Sequence, residues 1–83
     1  MEAHVFPNPA NEMVAVSYTL AQSSDVTIEV VDLSGRIVYS QREGNLRQGT
    51  QRTEIPLQEM AAGSYVIRIR TATGQAHIPF VRE

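Results

Sequence analysis

The chain has 83 residues, no cysteine and a formal net charge of −2 from seven basic and nine acidic residues. A chain of this length has room for one domain with a thin core, and without cysteine it has neither disulfides nor thiolate metal ligands. The balanced charge gives no basic footprint for nucleic acid or anionic lipid. No apolar run approaches the ~20 residues that span a bilayer, and residues 1–4 lack the features of a signal peptide, so we expect any export signal to lie outside this chain.

Apolar and polar residues alternate with a period of two along most of the chain, which predicts β-strands. In Met13–Leu20 every second residue from Val14 onward is apolar or aromatic, and the same alternation recurs from Val26 and from Tyr65. In chain order, the predicted strands span residues 5–6, 13–20, 26–30, 37–39, 50–57, 65–70 and 75–82. We expect a tight turn at residues 32–35, a longer loop at 43–49, one helical turn at 58–62 and a hairpin turn at 71–74.

Short strands separated by closely spaced turn signals predict hairpins and not βαβ units. About seven such strands, packed as two antiparallel sheets of three or four, form an immunoglobulin-like β-sandwich. The chain lacks the Cys and Trp landmarks of true immunoglobulin domains, so this prediction concerns architecture alone. Pro79 removes a backbone donor from the last strand, so we expect that strand to lie at a sheet edge or to bend there. Pro56 indicates the end of a strand or another edge position.

The chain shows no constellation that supports catalysis. No Ser lies in a Gly-x-Ser-x-Gly elbow, and the two histidines supply neither a ligand set nor a proton relay. We expect His4 in a mobile terminus and His77 on the exposed face of a strand. Glu29 and Glu54 fall on positions that the alternation places toward solvent. The sequence therefore predicts no catalytic residue, no metal ligand and no cofactor.

Other polar groups have structural explanations, with binding as the alternative. Asp32, before Ser34 and Gly35, is expected to bond its own turn. Asn8, Asn11 and Glu12 form an oxygen-rich cluster whose spacing does not match an EF-hand loop, so we expect a turn in preference to a calcium site.

Arg68 and Arg70 share one strand face and could meet Arg36 or Arg52 from a neighbouring strand. They form either a solvated face or a docking patch for an acidic partner.

Four stretches in order along the chain carry a family resemblance. They are Val5-Phe6-Pro7-Asn8-Pro9-Ala10-Asn11, residues 30–38 around Asp32-Leu33-Ser34-Gly35-Arg36, residues 57–68 with Gly63-Ser64-Tyr65, and Ile78-Pro79-Phe80-Val81-Arg82-Glu83. Together they resemble the C-terminal sorting domain of proteins exported by the type IX secretion system of Bacteroidetes. The family usually has Tyr at the position of Phe6 and Lys near the last strand, where this chain has only Arg82. The recognition residues that the resemblance implies are Phe6, Pro7, Asn8, Pro9, Asp32, Gly35, Arg36, Gly63, Tyr65, Ile78, Phe80, Val81 and Arg82.

The resemblance implies that residues 1–83 are a single sorting domain at the C-terminal end of a cargo protein. Its implied partners are the upstream cargo, an outer-membrane translocon and a surface cysteine peptidase that removes the domain. The implied route leads through the periplasm to the cell surface or the extracellular space. An exposed last strand, residues 75–83, would serve the translocon as a handle for strand addition. Short hinges around Pro7 and the terminal strand would also permit a domain-swapped dimer.

Three other functions remain open from the sequence. An adhesive or carbohydrate-binding module of the same class requires an exposed aromatic platform or a metal site. Tyr18 and Tyr65 fall on core-facing positions, and Tyr39 is the one tyrosine expected at the surface. A structural spacer in a multidomain surface enzyme would be followed by more chain. A small enzyme has no residues to support it.

Overall fold

The computed structural model describes residues 1–83, which form seven strands in two antiparallel sheets. The strands are β1 (Ala3–Phe6), β2 (Met13–Leu20), β3 (Ser24–Asp32), β4 (Ile37–Leu46), β5 (Gly49–Pro56), β6 (Gly63–Arg70) and β7 (Gln75–Arg82). One sheet has the order β1-β2-β5 and the other the order β4-β3-β6-β7. This confirms the predicted all-β sandwich. No helix long and apolar enough to cross a membrane is present.

The core lies between the two sheets and takes alternate residues from the central strands, since successive side chains of a strand point to opposite faces. Its fifteen buried members are Ala10, Val14, Val16, Tyr18, Leu20, Val26, Ile28, Val30, Ile55, Leu57, Met60, Tyr65, Ile67, Ile69 and Phe80. The inward positions predicted from the period of two are therefore confirmed. Each fully buried aliphatic or aromatic side chain contributes about 1.5–3 kcal/mol relative to its exposed state.

Tyr65 supplies an immunoglobulin-type landmark that composition alone does not show. Its hydroxyl donates a hydrogen bond to the carbonyl of Ala61, four residues earlier, and its ring stacks on Phe80 with a centroid distance of 5.7 Å. Immunoglobulin-like sandwiches carry such a tyrosine corner near the start of the sixth strand, where it fixes the preceding loop. The buried Tyr65 thus ties the β5–β6 loop to the sheet.

Three expectations about local structure were wrong. Residues 43–46 continue β4 and do not form a loop, because Glu43 pairs with Val26 and Leu46 with Ser24 across a β-bulge. Residues 58–62 form no helical turn. They contain a β-turn closed by the hydrogen bond from the Met60 N–H to the Leu57 carbonyl, at 2.9 Å. His4 lies in β1, paired with Ser17, and not in a mobile terminus.

The two sides of the sandwich differ. On one side β1 contacts β7, and a parallel bridge joins Ala10 to Arg82. On the other side lie the edges of β4 and β5, which do not pair with each other. We call this second side the open side.

Candidate recognition surface at one end of the sandwich

The four motif stretches converge on one end of the sandwich, which we call the motif end. It comprises residues 6–13, the β3–β4 turn at 32–37, the β5–β6 loop at 56–63 and the end of β7 at 80–83. Register brings them together, since Asp32 pairs with Tyr65 and Tyr65 with Phe80. Because strand β1 runs toward this end, Met1 lies at the opposite end, beside Leu20 and the β6–β7 turn.

The first and last motifs form one hydrogen-bonded unit. The Ala10 N–H donates to the Val81 carbonyl at 2.7 Å, and the Glu83 N–H donates to the Ala10 carbonyl at 2.8 Å. The Val81 N–H donates to Oδ1 of Asn8 at 3.1 Å. Both prolines of the first motif, Pro7 and Pro9, follow cis peptide bonds. Asn8 and Ala10 therefore occupy the outer edge of β7 at its end.

The predicted handle for strand addition is consequently smaller than expected. The strand β7 is an edge strand, as predicted, but Asn8 and Ala10 already bond to Val81. Backbone groups of alternate residues in an antiparallel strand point the same way. His77 and Pro79 therefore also point away from β6, and Pro79 brings no N–H to that edge.

Asp32 organises the tight turn between β3 and β4. Its Oδ1 accepts hydrogen bonds from the Ser34 N–H at 2.9 Å, the Ser34 hydroxyl at 2.6 Å and the Arg36 N–H at 3.0 Å. These bonds, led by that of the Ser34 hydroxyl, hold the pKa of Asp32 below its ordinary value. Gly35 has φ of 88°, a conformation that side chains disfavour. The expected local bonding of Asp32 is confirmed.

The third and fourth motifs also serve the fold. Gly63 opens β6 with φ of 152°, and Tyr65 forms the tyrosine corner against Phe80. The Arg82 side chain donates through Nε to the Leu57 carbonyl at 2.9 Å. Gly63, Tyr65, Phe80 and Arg82 thus close the motif end from inside, and none of them presents a free reactive group.

The exposed apolar residues are distributed unevenly. Leu33, in the β3–β4 turn, is 80% exposed, and Phe6, Met13, Ile37 and Val81 are 40–48% exposed. All five belong to the motif end, while the sixth large exposed hydrophobic residue, Met1, lies at the other end. Pro7, Pro9 and Arg36 are also exposed there, and Ile78 is half-buried.

The recognition residues that the family resemblance implies include Phe6 and Val81 but not Leu33, Ile37 or Met13, whose exposure was not predicted. The signal available for Leu33 was an apolar residue inside an otherwise polar turn.

Arg68 and Arg70 share one strand face, as predicted, but they meet neither Arg36 nor Arg52. Arg68 and Arg70 both bond Oε1 of Glu29, at 2.7 Å and 3.1 Å. The Glu29 side chain is 8% exposed, so its assignment to a solvent-facing position was wrong. It stands on the outer face, as the alternation indicates, but the two arginines cover it.

The other two arginines lie elsewhere. Arg36 stays with Asp32, at 3.3 Å, in the turn that precedes β4. Arg52 lies on the other sheet, 3.2 Å from Glu54 and over the ring of Phe6 at 5.1 Å from its centroid. Arg52 is therefore separated from Arg68 and Arg70 by the core of the sandwich.

The remaining predicted polar groups form no chemical site. No group of three or more His, Cys, Asp or Glu residues could hold a metal ion. The side-chain oxygen of Asn8 accepts a hydrogen bond from the Val81 N–H, and the backbone carbonyl of Glu12 accepts one from the Leu57 N–H at 2.9 Å. Tyr39, expected at the surface, is half-buried at the rim of a groove and forms no exposed platform.

Two sheets in the orders β1-β2-β5 and β4-β3-β6-β7, with a tyrosine corner on β6, define an immunoglobulin-like β-sandwich. A family model described as "Secretion system C-terminal sorting domain" matches residues 4–81. The chain belongs to this family, which comprises the sorting signals of cargo proteins of the type IX secretion system.

The fold is also found in a solved structure of low sequence identity. It is PorZ, described as an essential bacterial surface component of the type IX secretion system of Porphyromonas gingivalis, and it aligns with a TM-score of 0.72 at 16% identity. The alignment covers 98% of this chain but only 11% of that one. No curated protein matches the chain in sequence.

Proposed function

We propose that residues 1–83 act as a single C-terminal sorting domain that docks to the outer-membrane translocon through its motif end. The observation that carries this proposal is the clustering there of Leu33, Ile37, Phe6, Met13 and Val81, five of the six large exposed hydrophobic residues. Exposed apolar residues gathered at one place mark interaction sites more often than scattered ones do. At the motif end, the motif residues that bond to the rest of the fold maintain its structure, and the exposed apolar residues contact the translocon.

The direction of the chain supports this arrangement. An upstream cargo would join at Met1, which lies at the opposite end of a molecule 35 Å long. The cargo would thus leave the motif end free for the translocon. A domain of this kind passes through the periplasm with its cargo and reaches the cell surface, where a cysteine peptidase removes it by cleavage near its N-terminal end.

The domain acts in this scheme as a signal and a substrate, not as an enzyme. Covalent catalysis by a hydroxyl commonly uses a base within hydrogen-bond reach of the nucleophile, oriented in turn by a third group. The two histidines, His4 and His77, lie on exposed faces of different strands, and neither forms such a set.

A swapped dimer is a further possibility for this domain. Strand β1 is joined to the rest of the chain through Pro7 and Pro9, and it is the element that two copies could exchange.

A secretion assay with matched turn variants tests the docking proposal. A fluorescent cargo is fused before Met1 and expressed in a bacterium with a type IX system, carrying either Leu33→Glu or Thr73→Glu. Both residues are exposed in turns, at opposite ends of the sandwich. We expect Leu33→Glu to reduce secreted fluorescence by about tenfold, as removal of a central interface residue does, and Thr73→Glu to leave it unchanged.

Thermal unfolding of both purified variants shows whether the fold is retained. Equal secretion of the two variants, each folded, would contradict docking through the motif end. Deletion of residues 75–83 is a poorer test, because it removes Phe80 from the core.

A further inference from the structure

The open side of the sandwich leaves one strand uncovered. The sheet that contains β4 has four strands and the facing sheet only three, so no strand lies opposite β4. Its inward residues Tyr39, Gln41 and Glu43 are half-buried and bonded in a row. The Tyr39 hydroxyl donates to Gln41 at 2.6 Å, and the Gln41 amide donates to Glu43 at 2.6 Å.

At this end of the row lie a carboxylate without a cationic partner and a tyrosine hydroxyl without a hydrogen-bond partner. Glu43 accepts a further hydrogen bond from the Thr53 hydroxyl at 3.4 Å, yet no arginine or histidine pairs with its carboxylate. The hydroxyl of Tyr18, a residue only 1% exposed, is buried without a hydrogen-bond partner. Burial, with a smaller effect from the charge of Glu43, raises the pKa of Tyr18 above its ordinary value. Buried polar groups without partners are rare in folded proteins and call for an explanation.

A groove of about 580 Å³ continues the row toward the motif end. It opens between β4 and the β5–β6 loop, and its apolar lining includes Val38, Tyr39, Met60 and Tyr65. Glu43 lies four residues beyond Tyr39 on the same face of β4, about 13 Å along the strand. The open side therefore combines an apolar groove with a carboxylate that lies four residues further along β4.

The neighbouring edge of β5 offers backbone groups for pairing. The Leu57 N–H bonds the Glu12 carbonyl at 2.9 Å and continues the β2–β5 ladder, in which Ile55 pairs with Val14. Because backbone groups alternate in direction, Thr50, Arg52 and Glu54 point theirs away from β2. No strand pairs with that edge. Pro56, the next outward residue, lacks the donor.

We propose that the open side accepts an extended segment of a partner protein as a fourth strand on β5, completing the smaller sheet. The inward side chains of this partner segment cover β4. A large apolar residue of the segment occupies the groove, and a lysine or arginine four residues away forms an ion pair with Glu43. The free N–H groups of β5 recur at every second residue, which matches an extended polypeptide. The Glu43 carboxylate, which has no cationic partner in the chain, favours a segment that carries a basic side chain at this position. The groove adjoins the motif end, but strand pairing on β5 does not depend on docking of the translocon there.

Peptide selection on the whole 83-residue chain tests the chemistry. A phage-displayed library of random linear ten-residue peptides is panned on the immobilised chain, with counter-selection on Glu43→Lys. We expect enrichment of peptides with a lysine or arginine four residues from a large apolar residue. Absence of that pattern after selection overturns the proposal.

Amide hydrogen exchange of the chain with the most enriched peptide, made synthetically, tests the position. We expect the amides of Thr50, Arg52 and Glu54 to exchange at least about tenfold more slowly, as pairing in a ladder requires, and that of His77 on the β7 edge to be unchanged. Protection of Ser40, Arg42 and Gly44 instead would place the strand on β4 and overturn the assignment to β5. So would a peptide effect that appears only when two copies of the chain associate, measured by light scattering.

A charge exchange provides the matched variants. Glu43→Lys should weaken the peptide by about tenfold, and a glutamate in place of the peptide's basic residue should restore binding to that variant. Glu2→Gln, which changes an exposed carboxylate before β1 on the other side of the sandwich, serves as the control with unchanged affinity. Equal weakening by both variants contradicts the pairing with Glu43. All of these measurements use the purified chain, so their failure leaves the secretion assay and its outcome unaffected.

Discussion

The side-chain oxygen of Asn8 accepts a hydrogen bond from the backbone N–H of Val81, which lies 73 positions further along the chain, at 3.1 Å. The bond joins the first motif of the sequence to the last. With the two bonds of Ala10, it covers the outer edge of β7 where that strand ends. The residues that identify the family thus hold together the end of the sandwich that carries most of its exposed apolar side chains.

Replacing Asn8 should loosen the end of β7. Asn8→Ala leaves the Val81 N–H to water, so we expect the free energy of unfolding to fall by about 0.5–1 kcal/mol. Urea unfolding measures this change, and hydrogen exchange should show a faster Val81 amide. Asn11→Ala is the matched control, since Asn11 is exposed and its side chain makes no hydrogen bond. Equal effects of the two variants would show that the Asn8 bond does not contribute.

The tyrosine corner should contribute through its hydroxyl. Tyr65→Phe keeps the ring against Phe80 but removes the donor to Ala61, so we expect a loss of about 1–1.5 kcal/mol. Tyr39→Phe is the control, because its hydroxyl bonds the half-buried Gln41 side chain and not the backbone of a loop. Thermal unfolding of the two variants should rank Tyr65→Phe as the less stable. The opposite order would argue against a corner that holds the β5–β6 loop.

The two faces of β6 should respond differently to truncation. Ile67 is fully buried, and Ile67→Ala should cost about 2–5 kcal/mol. A chain of this length has about 4–12 kcal/mol of total stability, so we expect a large unfolded fraction at 37 °C in this variant alone. Val66→Ala, on the half-exposed outer face, should change the stability by about 1 kcal/mol or less. Denaturant titrations with equal slopes would make the comparison valid, and similar losses for both would contradict the assigned core.

Acid should weaken the fold partly through Asp32. Hydrogen bonds from Ser34 and Arg36 lower its folded-state pKa below the ordinary value of 3.8. A carboxyl with a lowered folded pKa stabilises the fold above the unfolded value, and that contribution is lost as the pH falls through the folded pKa. We therefore expect the unfolding free energy to decrease below about pH 4, and to decrease less in Asp32→Asn.

Urea unfolding at a series of pH values measures this difference. Asp25 has a lowered pKa as well, chiefly from the Asn45 N–H, so Asp25→Asn should flatten the same part of the curve. Glu59→Gln, an exposed carboxyl without a hydrogen bond, is the control. Parallel curves for Asp32→Asn and the unmodified chain would remove Asp32 as a source of acid sensitivity.

Local sequence determined the strands and the tight turns. Met13–Leu20 and Gln75–Arg82 were predicted at their observed bounds, because a strand with one buried face carries its period of two in adjacent residues. The turn at Asp32 and Gly35 follows equally from neighbouring residues. The motifs, taken in order, also determined the family. The motifs did not show the structural role of each of their residues. The hydrogen bond from the Val81 N–H to Asn8, for example, could not be predicted from them.

Tertiary structure decided whatever depends on strands that are distant in sequence. Glu29 is covered only because register places Arg68 opposite it, and residues 43–46 join β4 only because β3 lies beside them. The unequal number of strands in the two sheets leaves Tyr39 and Glu43 only half-buried on the open side. The motifs meet at one end because, in antiparallel sheets, every second loop between consecutive strands lies at the same end of the sandwich. Burial and pairing are long-range quantities, whereas a residue's periodicity reflects only its immediate neighbours.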